Sequence, residues 1–288
     1  MKKKLFFLLF IATANGVFAS PQLVEAGPLF VPRTSVKMPI RASIDWQKDQ
    51  VVIETVPTFP VKSNFSKMDA GMVAKAMELS FLELMQSLRI DSSTVVGTLI
   101  EEDPGLKNEL ISVFRQGQID MLSLASRPMS CRVVIPLYTE VGLAKSLFFK
   151  MFPPDSTPKS GSKLLSGTFG KLEADQGYTG LIIDARKAGM FPCLFSEIST
   201  PTTRIYSYQR VDFLYALNFG LAGYSQSIEQ AKKEARIGKN PLIIKATGVK
   251  GPFKGIAVVS EQDGQTLKKA NAATGFLEKC KVVFVLSI

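Results

Sequence analysis

The chain has 288 residues, 46% of them hydrophobic, a formal net charge of +10 and no histidine. This hydrophobic content is typical of a globular protein and excludes a chain that is disordered throughout. The lack of histidine excludes the Ser-His-Asp, Cys-His and zinc-histidine schemes of catalysis together. The surplus of positive charge is interpreted first as a contribution to solubility, and the alternative is contact with an anionic membrane or cell-wall surface.

Residues 1–19 have the pattern of a secretory signal peptide. Three consecutive lysines are followed by an apolar run from Leu5, and Val17-Phe18-Ala19 ends in small residues at a cleavage site. The apolar run is shorter than the roughly 20 residues of a membrane-spanning helix. We therefore predict export to the periplasm with cleavage between Ala19 and Ser20, and this compartment argues against nucleic acid as a partner.

The next part of the chain predicts a first α/β unit. Residues 20–62 predict an N-terminal arm and a hairpin with Lys48-Asp49 at its turn. Residues 63–152 predict a long helix from Met68 to Ile90, a short helix, a third helix that begins after an Asp103-Pro104 N-cap, two strands and a last helix. This ββαααββα order predicts an antiparallel sheet with helices on one face.

A second α/β unit is predicted after a linker. Residues 153–165 form the linker by their Pro, Ser and Gly content, and residues 166–288 form the second unit. The final apolar run, Lys279 to Leu286, is typical of a strand in a sheet interior. The unit's other predicted elements include a strand at 192–198, a helix at 227–236 and a helix that starts at Ser260 and stops at Gly275.

These elements together predict an α+β protein of two small α/β units. Each unit is predicted to contain a mainly antiparallel sheet with helices packed on one face.

Charged residues at the end of one predicted strand are candidates for a binding site. Asp184 and Arg186 follow the apolar strand that begins at Gly180, and ligand sites of α/β proteins often gather at strand ends. The alternative is a turn held by a local ion pair between these two side chains. We favour the local ion pair over the binding site.

Three cysteines, Cys131, Cys193 and Cys280, lie in or beside apolar, strand-like runs. An odd number in an oxidising compartment permits at most one intramolecular disulfide. Buried, inert thiols are the favoured interpretation for all three. Their wide spacing, with no histidine in the chain, predicts no metal site, and no cofactor is predicted.

Four segments in the second unit point to a known group of proteins. They are Tyr178–Arg186 (YTGLIIDAR), Pro192–Phe195 (PCLF), Asn240–Ala246 (NPLIIKA) and Phe276–Val283 (FLEKCKVV). In this order they resemble the C-terminal part of bacterial envelope proteins of the Lpp-twenty and FlgP/FlgT flagellar group, and the likeness covers about residues 65–288.

This resemblance implies an exported, non-catalytic protein that assembles with envelope or flagellar proteins or with further copies of itself. It adds Tyr178, Asn240 and Lys245 to Asp184 and Arg186 as residues of a candidate binding or structural motif. No lipid-bearing cysteine follows the signal segment, so any attachment to the outer membrane is expected to be peripheral.

The leading hypothesis is therefore a non-catalytic envelope protein with an assembly or scaffold role. Edge-strand pairing is the simplest mode of assembly, and the strand that ends in Val285-Leu286 is one candidate. The alternative is a periplasmic ligand-binding protein with a site near Asp184 and Arg186. A carboxylate-based cell-wall hydrolase is a third hypothesis, for which the sequence shows no motif.

Overall fold

The computed structural model describes residues 24–25, 39–55, 67–122, 130–139, 142–151 and 177–287. The predicted signal peptide and the predicted linker at 153–165 lie outside these ranges, so both stay predictions. The described residues up to 151 are called the first unit below, and residues 177–287 are called the second unit.

A five-stranded antiparallel sheet forms the base of the first unit. Its strands are β1 (Val24–Glu25), β2 (Ile40–Asp45), β3 (Gln50–Thr55), β4 (Gln118–Leu122) and β5 (Ser130–Pro136). They lie in the order β1-β2-β3-β5-β4. The predicted hairpin is confirmed as β2 and β3. In its turn the Asp45 carboxylate accepts hydrogen bonds from the N–H groups of Gln47 and Lys48, and Asp49 has a φ of 51°, which aspartate tolerates better than most residues.

Four helices belong to this unit. They are α1 (Lys67–Ser87), α2 (Val96–Glu102), α3 (Pro104–Arg115) and α4 (Leu143–Met151). α1 packs on β2 and β3, and α3 contacts both α1 and α4. The side chain of Asp103 accepts a hydrogen bond from the N–H of Gly105 at 2.9 Å, so the predicted N-cap of α3 is confirmed. From β2 onward the order ββαααββα is also confirmed.

A four-stranded parallel sheet forms the centre of the second unit. Its strands are β6 (Gly180–Asp184), β9 (Gly223–Ser225), β10 (Pro241–Lys245) and β13 (Val282–Val285). Their order is β10-β6-β13-β9, with every pair parallel. β13 lies in the interior of this sheet and all four of its residues are buried, as its apolar run predicted.

The second unit also contains a second sheet of four strands. Its strands are β7 (Glu197–Ser199), β8 (Arg204–Tyr206), β11 (Gly248–Lys250) and β12 (Ile256–Val258), in the order β11-β12-β7-β8. The helices of the unit are α5 (Phe213–Phe219), α6 (Ile228–Ala231) and α7 (Glu261–Thr274). Ser260 caps α7 and Gly275 ends it in the left-handed conformation, both as predicted.

The fold class is α+β, as predicted, and the sheet of the first unit is antiparallel. The central sheet of the second unit is parallel, which corrects the prediction of a mainly antiparallel sheet there. Parallel neighbours need a crossover between their strands, and helices lie in those crossovers here: α5 precedes β9, α6 precedes β10 and α7 precedes β13. Only β7 of the predicted strand at 192–198 and only α6 of the predicted helix at 227–236 are formed.

The two units share one hydrophobic core. Trp46 meets Tyr224 edge to face with ring centroids 5.4 Å apart, and Phe148 meets Phe195 at 4.6 Å. The N–H of Phe195 also donates a hydrogen bond to the carbonyl of Ile90 at 2.7 Å. We call this zone of contact between the units the seam. Each unit buries apolar surface against the other there, and this burial stabilises their association.

Candidate functional site

The strand-end candidates form a compensated ion pair. Asp184 ends β6, and Nε of Arg186 donates to its Oδ1 at 2.9 Å while Nη2 donates to Oδ2 at 2.8 Å. These hydrogen bonds lower the pKa of Asp184 and raise that of Arg186. Lys245 lies opposite Asp184 in the register of β10 and β6. The geometry is therefore that of the local ion pair favoured in the sequence analysis.

The other two motif residues lie at the opposite end of the same strands. The N–H of Asn240 donates to Oγ1 of Thr179 at 2.9 Å, and its side-chain amide donates to the carbonyl of Gly177 at 3.3 Å. The carbonyl of Tyr178 accepts a hydrogen bond from Oγ1 of Thr274 at 2.9 Å. Tyr178 and Asn240 thus hold the starts of β6 and β10, and the five motif residues are not gathered into one site.

The three cysteines are free thiols. Cys193 and Cys280 are buried, and this burial raises the pKa of each to about 12. Cys131 is half-buried, and its pKa is also raised by burial. The thiolate is the reactive form of cysteine, so all three side chains are poor nucleophiles at neutral pH.

Among the residues that the structure describes, no group of three or more cysteine, aspartate and glutamate side chains is placed to hold a metal ion. Among the same residues, no helix has both the length and the apolar character that a membrane crossing requires.

A cleft at the seam brings together charged residues that the motifs do not contain. It is an open cavity of about 410 Å³ between the β2–β3 turn and the segment that begins with α6. We call it the seam cleft. Its polar lining residues are Gln47, Asp49, Ser225, Gln230, Glu234 and Arg236.

Arg236 is the buried cation of the seam cleft. Its guanidinium donates hydrogen bonds to the carbonyls of Phe219 and Cys280. Its Nη2 lies 3.7 Å from Oδ2 of Asp49, so this ion pair joins the hairpin turn of the first unit to the second unit. The Arg236 side chain is 7% exposed and that of Asp49 33% exposed, so only the cation of this pair is buried. Removal of Asp49 would leave this buried cation with less compensation for its charge.

Both carboxyl groups of the seam cleft have raised pKa values. Burial raises the pKa of Asp49 to about 6, against the opposing effect of Arg236. Burial also raises the pKa of Glu234 to about 7, again opposed by Arg236. One guanidinium therefore faces two carboxyl groups, and its charge does not offset the desolvation of both.

Gly223 leaves the space that the Glu234 carboxylate occupies. A Cβ on this residue of β9 would lie 2.6 Å from Oε2 of Glu234, closer than real Cβ contacts come. The carboxylate thus rests directly on the backbone of the sheet. Any larger residue at position 223 would displace it.

Sequence reasoning missed this cluster. Asp49 was predicted only as a turn residue and Arg236 only as the end of a helix, while Glu234 had no predicted role. Asp49 lies far from Glu234 and Arg236 along the chain, so no local spacing connects them. The one available signal was Arg236 beside the apolar Ala235 and Ile237, a charged residue in an apolar context.

A comparison with family models gives one finding for the second unit. The model described as Treponema pallidum Tp0624, second domain, matches residues 180–288. This match begins at β6 and includes the whole parallel sheet. A search of curated proteins finds no match to the chain. The second unit is therefore similar to the second domain of that Treponema pallidum protein.

Proposed function

We propose that this protein is an exported, non-catalytic component of the bacterial envelope that acts by assembly, as a scaffold. The edge of β4 with which no strand of the described residues pairs carries this proposal, and we call it the free edge of β4. β4 pairs with β5 on one side and is the last strand of its sheet in the described part of the chain. Its Ile119 is 62% exposed, and Gln118–Leu122 contains neither the proline nor the lysine that commonly protects an edge.

The β10 edge of the parallel sheet carries protective residues that β4 lacks. β10 begins with Pro241, which has no N–H to donate, and ends with Lys245. Ile243 between them is 41% exposed. The strand that ends in Val285-Leu286, which the sequence suggested for edge pairing, is β13 and lies between β6 and β9. It has no free edge, so β4 replaces it as the candidate.

Three further observations support the proposal. The signal pattern predicts export, and the resemblance to the Lpp-twenty and FlgP/FlgT group implies an assembly role. The similarity of the second unit to a Treponema pallidum domain is consistent with a bacterial protein.

The arrangement of the carboxyl groups supports a non-catalytic role. Glycoside hydrolysis by the common route needs two carboxyl groups that both face the substrate. At the seam, Asp49 is held by Arg236, and its Oδ1 is buried without a hydrogen-bond partner among the described residues. Only Glu234 is then available to a molecule in the cleft, so a cell-wall hydrolase is the less favoured function.

Ligand binding near Asp184 and Arg186 is also less favoured by the geometry. The two side chains satisfy each other through two hydrogen bonds. A charged ligand would have to replace this pairing at a partly exposed position, where the gain in free energy is small.

Fractionation tests the proposed location. The protein, tagged at its own locus, is expected to co-purify with the outer membrane and with detergent-extracted flagellar basal bodies. Recovery as a free monomer in the soluble periplasmic fraction would contradict the assembly role.

An edge-strand substitution tests the mode of assembly. Ile119→Lys places a charge on the free edge of β4 and is expected to abolish assembly, measured by light scattering of the purified protein and by the same co-purification. Ile243→Lys is the matched control, since it adds the same charge to an exposed isoleucine on the protected edge of β10. Equal effects of the two substitutions would exclude β4 as the assembly surface.

A further inference from the structure

The seam cleft has the volume of a small-molecule site and a mostly polar lining. Its volume of about 410 Å³ falls in the range of about 300–1,000 Å³ that is common for such sites. It also lies between two packed units, where ligand sites of proteins often occur. The edge of β4 is a separate surface, so a ligand in the cleft does not depend on assembly.

The cation at the cleft is already engaged. Arg236 binds the carbonyls of Phe219 and Cys280 and pairs with Asp49. Glu234 lies within the electrostatic reach of Arg236, but among the described residues its carboxylate has neither a hydrogen bond nor a salt bridge. The cleft therefore contains one half-buried carboxyl group that lacks a direct partner of opposite charge.

Neutral hydrogen-bonding groups line the same cleft as this carboxyl group. Gln47 contributes from the hairpin turn, Ser225 from the end of β9 and Gln230 from α6. Amide and hydroxyl side chains both donate and accept hydrogen bonds, so they suit the hydroxyl groups of a ligand. These neutral groups do not distinguish a charged ligand from a neutral one. Glu234 is therefore the group that would select a positively charged ligand.

We propose that the seam cleft binds a small ligand with a protonated amino group and several hydroxyl groups, of the amino sugar class. The ammonium group lies next to Glu234 and supplies the positive charge that the second carboxyl group lacks. The hydroxyl groups bind Gln47, Ser225 and Gln230. Charge-assisted hydrogen bonds to a partly desolvated carboxylate are stronger than neutral ones, so the ammonium group determines selectivity.

Isothermal titration calorimetry of the purified protein at neutral pH tests this proposal. The probes are glucosamine and glucose, which differ by an amino group in place of one hydroxyl group. Glucosamine is expected to bind at least roughly tenfold more tightly than glucose. Equal affinities, or no detectable binding of glucosamine, would overturn the proposal.

Substitutions locate the selectivity. Glu234→Gln keeps the shape of the side chain and removes its charge, so glucosamine and glucose are expected to bind equally. Glu229→Gln is the matched control, because Glu229 is exposed on α6 outside the lining of the cleft, and it is expected to keep the preference. A preference that survives Glu234→Gln, or that Glu229→Gln also removes, would place the ammonium group elsewhere and refute the site.

A third variant tests the hydroxyl contacts separately. Gln230→Ala is expected to weaken the binding of both sugars, while the protein still binds glucosamine more tightly than glucose. Unchanged affinities for both would refute the role of the neutral lining. Thermal unfolding of each variant confirms that it is folded before the titration is interpreted.

Discussion

Arg236 pairs with Asp49 across the seam and so couples the first and second units electrostatically. It faces Asp49 and Glu234 from within the seam, and its own side chain is only 7% exposed. Desolvation nonetheless remains the largest effect on both carboxyl groups and raises their pKa values. Ionisation of these carboxyl groups in the folded protein is thus unfavourable, which makes the stability of the fold depend on pH.

Glu234→Gln is expected to stabilise the protein at neutral pH. The pKa of Glu234 is about 7, above its ordinary value of 4.5. A carboxyl group whose pKa is raised by folding destabilises the fold increasingly as pH rises between those two values. The neutral glutamine removes this effect, so the variant gains at most about 3 kcal/mol by pH 8 and almost nothing near pH 4.

Urea unfolding of the variant and the original protein across that pH range measures this difference. Asp49 and Arg236 face Glu234 and stay in place in both proteins. Glu229→Gln controls for the loss of an exposed charge. A variant that is less stable than the original protein at pH 8 would show that Glu234 is stabilised as a carboxylate, contrary to this account.

Gly220→Ala is expected to destabilise the protein by about 3 kcal/mol or more. Gly220 ends α5 with φ of 70° and ψ of 165°, a conformation open almost only to glycine. Its Cβ would also lie 2.4 Å from the ring of Tyr138 across the seam. Urea unfolding measures the loss. Gly248→Ala is the control, because no atom lies within 4 Å of its Cβ position, and a similar loss there would refute the steric argument.

At the scale of elements, the predicted starting residue of a helix was most accurate where a side chain caps the helix. α3 begins after Asp103 and α7 begins after Ser260 because each side chain accepts a hydrogen bond from the first turn. α6 behaves differently and ends at Ala231 instead of near 236. Ile237 packs into the core beside β6 and β13, so tertiary burial replaces the helix that local periodicity predicted.

Ser260→Ala tests the cap of α7. Oγ of Ser260 accepts a hydrogen bond from the N–H of Asp263 at 3.0 Å and donates one to its carboxylate at 2.6 Å. Its removal is expected to destabilise the protein by about 1 kcal/mol. The measurement is urea unfolding followed by circular dichroism. Ser260→Thr retains a hydroxyl cap and is expected to lose much less; equal losses would mean that the hydroxyl group does not stabilise the helix.

At the scale of the whole molecule, the seam decides whether the units behave as one body. Its aromatic pairs join α4 to the second unit and the β2–β3 turn to β9. The chain has a single tryptophan, and this Trp46 lies at the seam, so its fluorescence reports on the contact between the units. The shared core predicts that fluorescence and circular dichroism follow the same unfolding transition.

Phe148→Ala is expected to destabilise both units together by about 3–5 kcal/mol. Phe148 is fully buried against Phe195 of the second unit. Both probes should therefore shift to lower urea concentration by the same amount. Phe149→Ala is the control, because Phe149 is 46% exposed; its ring still contacts Phe213 of the second unit at 5.8 Å, so its effect should be smaller than that of Phe148→Ala but not absent. Separate transitions for the two probes would show that the units unfold independently.

Local chemistry in the sequence by itself determined the hairpin around Asp49, the caps at Asp103 and Ser260, the stop at Gly275 and the order of elements in the first unit. Turns, caps and periodicity depend on neighbours within a few residues, so a single sequence displays them. Only the tertiary structure decided the parallel pairing of β10, β6, β13 and β9. The tertiary structure also brought Asp49 close to Glu234 and Arg236. Asp49 is far from these two residues in the chain, and it meets them only when the two units bury their apolar surfaces together.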